Sequence, residues 1–587
     1  MTTETVSRQS WWLPVLLVTM ASAGAWAFFD APARPNLPPP ESGAIRVPVH
    51  DGRASIDLPV TTRRGRWLVV ASVLTREPGR YPVTLKVAAT ATPRPLQPLP
   101  AAPSRPPRLA AHAPEKRSTA TNRTPPNEKT FSIMVRAGDP TSASNYVPVP
   151  ATLRSVGRKV QVYVDHRDRE TVDDARLRAI VETFDREILP ASALLRGEAD
   201  DTDGDGRFTI LLSSWLAHLG GGRLAVDGFV RGADLDPRVH PPFGNQCDML
   251  YLSASPIPLP YLKTVMAHEY AHAVTFSHKR RHPPASGGVE EEGWLDEALA
   301  HLVEDEHGYS RANIDYRVDA FLAEPERYRL VVDDYFRADL FRSHGHRGAT
   351  YLFLRWCASR FGPKLVPTLM ASPLRGVENL EAATGRHFAD LYREWSLSLA
   401  GDLVSGPSAD DAPPTPKRTE VRADGSETAW EMEGTSSRYF IVEPPDEGAI
   451  RLEIEAPAAA RLQVTAAPIA RRRALLELSA RRRGKGLVVD VKQSAGPPVA
   501  LDSLVWYDRA NPAATHAELR GASLAKALGE ARISEGTSLR LHAVPVADLD
   551  AEWSFKLQGH DPSGNSVAAW ATCPPTTDRQ SVEMSAE

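Results

Sequence analysis

Two proline-rich stretches, residues 96–128 and 405–426, constrain this chain more than any other feature. The first runs LQPLPAAPSRPPRLAAHAPEKRSTATNRTPPNE, and the second contains Pro413-Pro414-Thr415-Pro416. Proline fixes φ and removes a backbone donor, so neither stretch suits a helix interior or a central strand. Both read as linkers. They divide 587 residues, too many for one hydrophobic core, into parts at 28–95, 129–404 and 427–587.

The two flanks have a strand-like pattern. Residues 44–49 (AIRVPV) and 67–74 (WLVVASVL) are short apolar runs between Gly and Pro turns, which predicts an N-terminal β domain over 28–95. Residues 438–442 (RYFIV) and 450–454 (IRLEI) predict a β-sandwich-like C-terminal domain over 427–587. The middle part differs. Residues 159–164 (KVQVYV) read as a strand, 171–189 carry apolar residues at helical spacing, and the two patterns then alternate to about 403. The expected class is a multidomain chain with an α+β centre and β flanks.

Residues 1–27 end an apolar run with Ala25-Trp26-Ala27, which reads as a signal peptide or, if uncleaved, an N-terminal anchor. A secreted, periplasmic or cell-surface location follows. A net charge of −4 gives no case for nucleic acid, and a membrane enters only through that anchor. Three cysteines make no disulfide framework, although Cys247 and Cys357 share the central part and their pairing stays open; Cys573 is then left over. No C-x-x-C is present, which disfavours a thiolate metal site.

Chemistry concentrates in residues 261–279, YLKTVMAHEYAHAVTFSHK. Leu262, Val265, Met266, Ala273 and Phe276 make one apolar helical face. His268 and His272, four apart, project together and can present two imidazole nitrogens to one ion. Glu269 stands where its carboxylate reaches a metal-activated water. H-E-x-x-H alone is compatible with an ordinary helix surface, so a third ligand decides. Residues 293–306, GWLDEALAHLVEDE, supply it: Glu297, His301 and Glu304 fall on one face opposite an apolar stripe. Simple solvation also explains an acidic face. Placed just after H-E-x-x-H, it suits a His2Glu zinc site with Glu297 as third ligand.

These residues resemble the gluzincin clan of zinc peptidases. H-E-Y-A-H followed by Trp294-Leu295-Asp296-Glu297-Ala298 is similar to the glutamate-ligand segment of thermolysin and membrane alanyl aminopeptidases. Residues 201–212 (DTDGDGRFTILL), 247–252 (CDMLYL) and 347–356 (RGATYLFLRW) extend the likeness to bacterial hyicolysin-type neutral zinc metallopeptidases over about 129–405. The resemblance implies a thermolysin-like catalytic domain, Zn2+ as cofactor, and a peptide or protein substrate cut by Glu269-activated water. Asp296 replaces the family's usual Asn, and His301 replaces a second-shell Asp, whose role passes to Glu304 or leaves His301 to contact substrate. The G-x-M-E-N amine-binding motif of aminopeptidases is absent, which favours internal cleavage.

The family's oxyanion donor is assigned to Tyr351, with His344 and His346 as alternates. Asp201, Asp203 and Asp205 alternate across a Gly-containing loop and form a partial Ca2+ ligand set; Leu212 stands where an EF-hand has its bidentate Glu. No G-x-S-x-G, P-loop or G-x-G-x-x-G occurs. The competing expectation is a catalytically degenerate cell-surface binding protein that keeps the fold.

Overall fold

The computed structural model describes residues 44–59, 66–91, 124–136, 138–191, 197–222, 226–281, 290–340, 343–401, 415–443, 445, 448–469, 474–483, 486–509, 515–546, 548–562 and 566–574. The expected signal peptide, most of the first linker and the first half of the second lie outside them. Among the described residues no helix is long and apolar enough to cross a membrane. The chain is multidomain with mixed helices and sheets, as expected.

The centre is built on a six-stranded sheet. Its order is Gly228–Phe229, Met249–Ser253, Phe208–Ser213, Val160–Asp165, Tyr146–Val156, Glu128–Met134. The two pairings that join Met249–Ser253, Phe208–Ser213 and Val160–Asp165 are parallel, and the rest are antiparallel. The parallel strands are buried throughout and mostly apolar because both sheet faces are covered. Val160, Val162 and Val164 face a helical core, while Tyr163 faces a second core with Phe131, Leu211 and Tyr251.

Five helices matter for the site: α1 (Asp174–Thr183), α2 (Leu259–Arg281), α3 (Gly293–His307), α4 (Ala312–Ala323) and α5 (His344–Phe361). The predicted 261–279 and 293–306 helices thus appear extended by one or two residues. The 171–189 stretch is interrupted: α1 passes into a wider turn at Phe184–Ile188. α2 packs on α3, α3 on α5, and α4 on α5. Trp294, Leu295, Leu299, Leu322 and Phe353 fill the space between them.

The flanks are arranged differently from the sequence expectation. Strands from residues 45–90 and 418–468 interleave in two five-stranded sheets. Trp67–Val73 lies between Ser436–Glu443 and Leu462–Pro468, and Ala449–Glu455 lies between Arg53–Pro59 and Arg80–Thr90. One sandwich with one core therefore forms from both sides of the centre. The predicted 405–426 linker ends early, since Arg418–Arg422 is a strand parallel to Ser436–Glu443. Strand pattern alone carries no information on partner, which is why two separate flanking domains looked equally suitable. Only residues from about 474 on form a separate C-terminal sandwich, with its own core around Trp506, Trp553 and Phe555.

The three cysteines are free and buried; Cys247 belongs to the second sheet-face core and Cys357 to the helical core, so the open pairing does not form.

Candidate metal centre

α2 is almost wholly buried, because it runs between the sheet and the other helices. His268 and His272 therefore project inward rather than to solvent, each 6% exposed. Glu297 on α3 is fully buried opposite them. The two Nε2 atoms are 3.1 Å apart, and Glu297 Oε1 and Oε2 lie 3.5 Å from His272 Nε2 and 3.8 Å from His268 Nε2. Ligand atoms of a tetrahedral zinc site with bonds near 2.0 Å stand about 3.3 Å apart. Neither Glu297 oxygen has a hydrogen-bond donor. The Arg347 guanidinium, 3.6 Å from Oε2, balances the Glu297 charge without satisfying its lone pairs, and a carboxylate facing two imidazoles in this way fits a divalent ion.

Each imidazole is held from behind. Asp296 Oδ2 is 2.8 Å from His272 Nδ1, and Glu304 Oε1 is 2.5 Å from His268 Nδ1. Such contacts fix the tautomer that leaves Nε2 as acceptor. Glu304 Oε1 also meets His301 Nδ1 at 2.8 Å and accepts from Asn313 Nδ2 on α4 at 2.7 Å. Glu304 thus carries the orienting role, while His301, whose Nε2 lies 3.6 Å from Glu297 Oε2, lines the buried side. In the sequence Asp296 stands only as a replacement of the family's Asn; its support of His272 follows from how α2 and α3 pack.

Burial pushes the Glu269 carboxyl up to about 8, with Glu297 and Glu304 adding to the rise against His272 and Arg347. Burial would raise Glu297 too, but Arg347, whose Nε lies 3.6 Å from Oε2, and the two histidines hold it well below the usual range. The edge strand Gly228–Phe229 passes close by. A Cβ on Gly228 would stand 2.7 Å from Val265 Cγ1 and 3.3 Å from Glu269 Cγ, so only glycine lets the strand approach the helix.

The proposed oxyanion donor is not brought here. The Tyr351 hydroxyl accepts from Arg355 at 3.0 Å and lies beside Asp305 and Arg311. His346 faces the Arg329 carbonyl at 3.2 Å. His344 instead packs edge-on against Tyr316, ring centres 4.8 Å apart. The Tyr316 hydroxyl accepts from Arg317 at 2.5 Å, and the charges of Arg347 and Glu304 reach it. Nothing in the local sequence marks Tyr316; its place follows from α4 packing on α5.

Asp201, Asp203 and Asp205 do come together, and each has other partners. Gly206 N donates to Asp201 at 3.1 Å, Lys129 Nζ to Asp203 at 3.2 Å, and Gln161 Nε2 to Asp205 at 2.6 Å. Burial, with Asp203 and Asp201 nearby, raises the neighbouring Asp248 well above its ordinary value.

No family model and no curated protein matches the chain. Among solved structures it is similar to a β-glucuronidase from Ruminococcus gnavus in complex with D-glucuronic acid. That likeness has 8% identity over 25% of this chain and 30% of that one, with a TM-score of 0.12. It is too slight to carry an argument about fold or activity.

Proposed function

We propose that this chain is an exported zinc-dependent endopeptidase of the gluzincin type, with a thermolysin-like catalytic domain. The observation that carries the reading is the pair of donor-less Glu297 oxygens facing two buried imidazole nitrogens, each imidazole backed by a carboxylate. His268, His272 and Glu297 would hold the ion. Bound zinc polarises a carbonyl and acidifies water. Glu269 takes the proton from the attacking water at its carboxylate and returns it to the leaving amine. Tyr316, steadied by Arg317, donates its hydroxyl to the oxygen where negative charge develops. The scissile segment would lie extended beside Gly228–Phe229, the last strand in the order of its sheet.

Calcium at Asp201, Asp203 and Asp205 is a secondary part of the proposal, with a structural role about 129–213; added calcium should then raise the melting temperature. The main test is cleavage of an unfolded polypeptide by protein stripped with a chelator and reloaded with zinc. Cleavage that returns with zinc supports the reading. Full zinc occupancy with no cleavage favours a non-catalytic binding protein instead.

A further inference from the structure

The C-terminal sandwich meets the centre through charged side chains as well as apolar ones. Lys556, on the strand Trp553–His560, reaches Asp319 of α4 at 2.5 Å, with the two side chains 14% and 15% exposed. Arg509, just past the strand Val499–Asp508, pairs with Glu324 at the C-terminal end of α4, meets Glu552 at 2.8 Å, and donates to the Tyr328 hydroxyl. Trp570 adds its ring to the helical core. Both charged contacts lead on to groups that flank the metal ligands. α4 also carries Asn313, whose amide donates to Glu304, and Glu304 backs His268. Asn313 and Asp319 stand roughly 120° apart around the helix, so α4 is gripped on one side and delivers its amide on another. Tyr328 packs edge-on against His346, with ring centres 5.3 Å apart. It also lies against Gly345, where a Cβ would stand 2.5 Å from the ring, so the first turn of α5 rests on it. That turn leads to Arg347, whose Nε is 3.6 Å from Glu297 Oε2.

We propose that Lys556 and Arg509 are positioning residues for the metal centre. Through them the C-terminal sandwich holds α4 and the start of α5, so that Asn313 steadies Glu304 behind His268 and Arg347 stays beside Glu297. Losing a group that orients a metal ligand weakens metal binding by about ten- to a hundredfold. Lys556 and Arg509 act one step further out, and their loss has a smaller effect by the same route. A buried ammonium and carboxylate are costly to separate, which keeps the grip closed in the folded chain. The inference rests on the zinc reading of the centre and not on cleavage.

The test compares the full chain with its Lys556→Met, Lys556→Arg and Arg509→Gln variants. Three readouts are taken: melting temperature, zinc affinity by competition with a chelating dye, and the visible absorption band of the cobalt-loaded protein. Lys556→Met and Arg509→Gln should each lose about three- to tenfold in zinc affinity and shift the cobalt band. Lys556→Arg, which keeps the charge, should recover most of the affinity. If Lys556→Met does not fold, Arg509→Gln carries the test, since Arg327 still answers Glu324 at 3.0 Å. A lowered melting temperature with zinc affinity and cobalt band unchanged would show a role in stability alone and overturns the proposal. Failure of the peptidase reading looks different: the parent binds zinc, the variants bind it more weakly, and none of them cuts. A parent that binds no zinc overturns both.

Discussion

Glu304 touches two imidazoles and one amide through a single oxygen, and the geometry of the centre depends on it. Glu304→Gln should lower zinc affinity by about ten- to a hundredfold, measured by competition with a chelating dye. Glu269→Gln should keep zinc and lose about a hundred- to ten-thousandfold in turnover; normal turnover would remove Glu269 as base. A third test concerns His346, which burial pushes down to about 3 from an ordinary 6.5. As pH falls below about 6.5 the unfolded chain takes a proton that the folded one refuses until about 3. Stability is therefore full above that window and lost through it, by up to about 1.4 kcal/mol per pH unit. Urea midpoints at about pH 7 and about pH 5 should converge in His346→Gln relative to the parent. At this scale the sequence is legible where one helix fixes the spacing, as for His268, Glu269 and His272. Glu297 is legible because its helix follows directly. Asp296, Asn313, Tyr316 and Arg347 matter only through how α3, α4 and α5 pack, which no local pattern encodes.

Helices α2 and α3 are readable nearly to their ends, α3 from its apolar stripe and α2 from the four-residue histidine spacing, although α2 is buried on nearly every side. The break after α1 was not: the apolar spacing of 171–189 continues through the wider turn at Phe184–Ile188. A close tolerance beside the centre is at Gly228, where the edge strand meets α2. Gly228→Val should push the strand off Val265 and Glu269. Activity should fall by about a hundredfold, as expected for a small misplacement near the reacting atoms. Zinc content should change little. Equal activity in that variant would separate the edge strand from substrate binding.

For the molecule as a whole, the centre is inserted into a sandwich that both flanks build. Residues 45–90 supply inner strands to both sheets. Deleting 44–91 should leave Ala449–Glu455 and Leu462–Pro468 without partners and abolish cooperative melting followed by circular dichroism. Alternation made these segments legible as strands, yet the pairing of residue 70 with residues 439 and 465 lies beyond any local signal. The central claim is that two histidines and one glutamate from α2 and α3 hold a catalytic zinc. Titrating chelator-stripped protein with zinc while following cleavage of an unfolded polypeptide tests it most directly. The account predicts activity that rises to a plateau at one zinc per chain and is absent in Glu297→Ala. A stripped protein that cuts at full rate, or one that stays inactive at every zinc level, contradicts it.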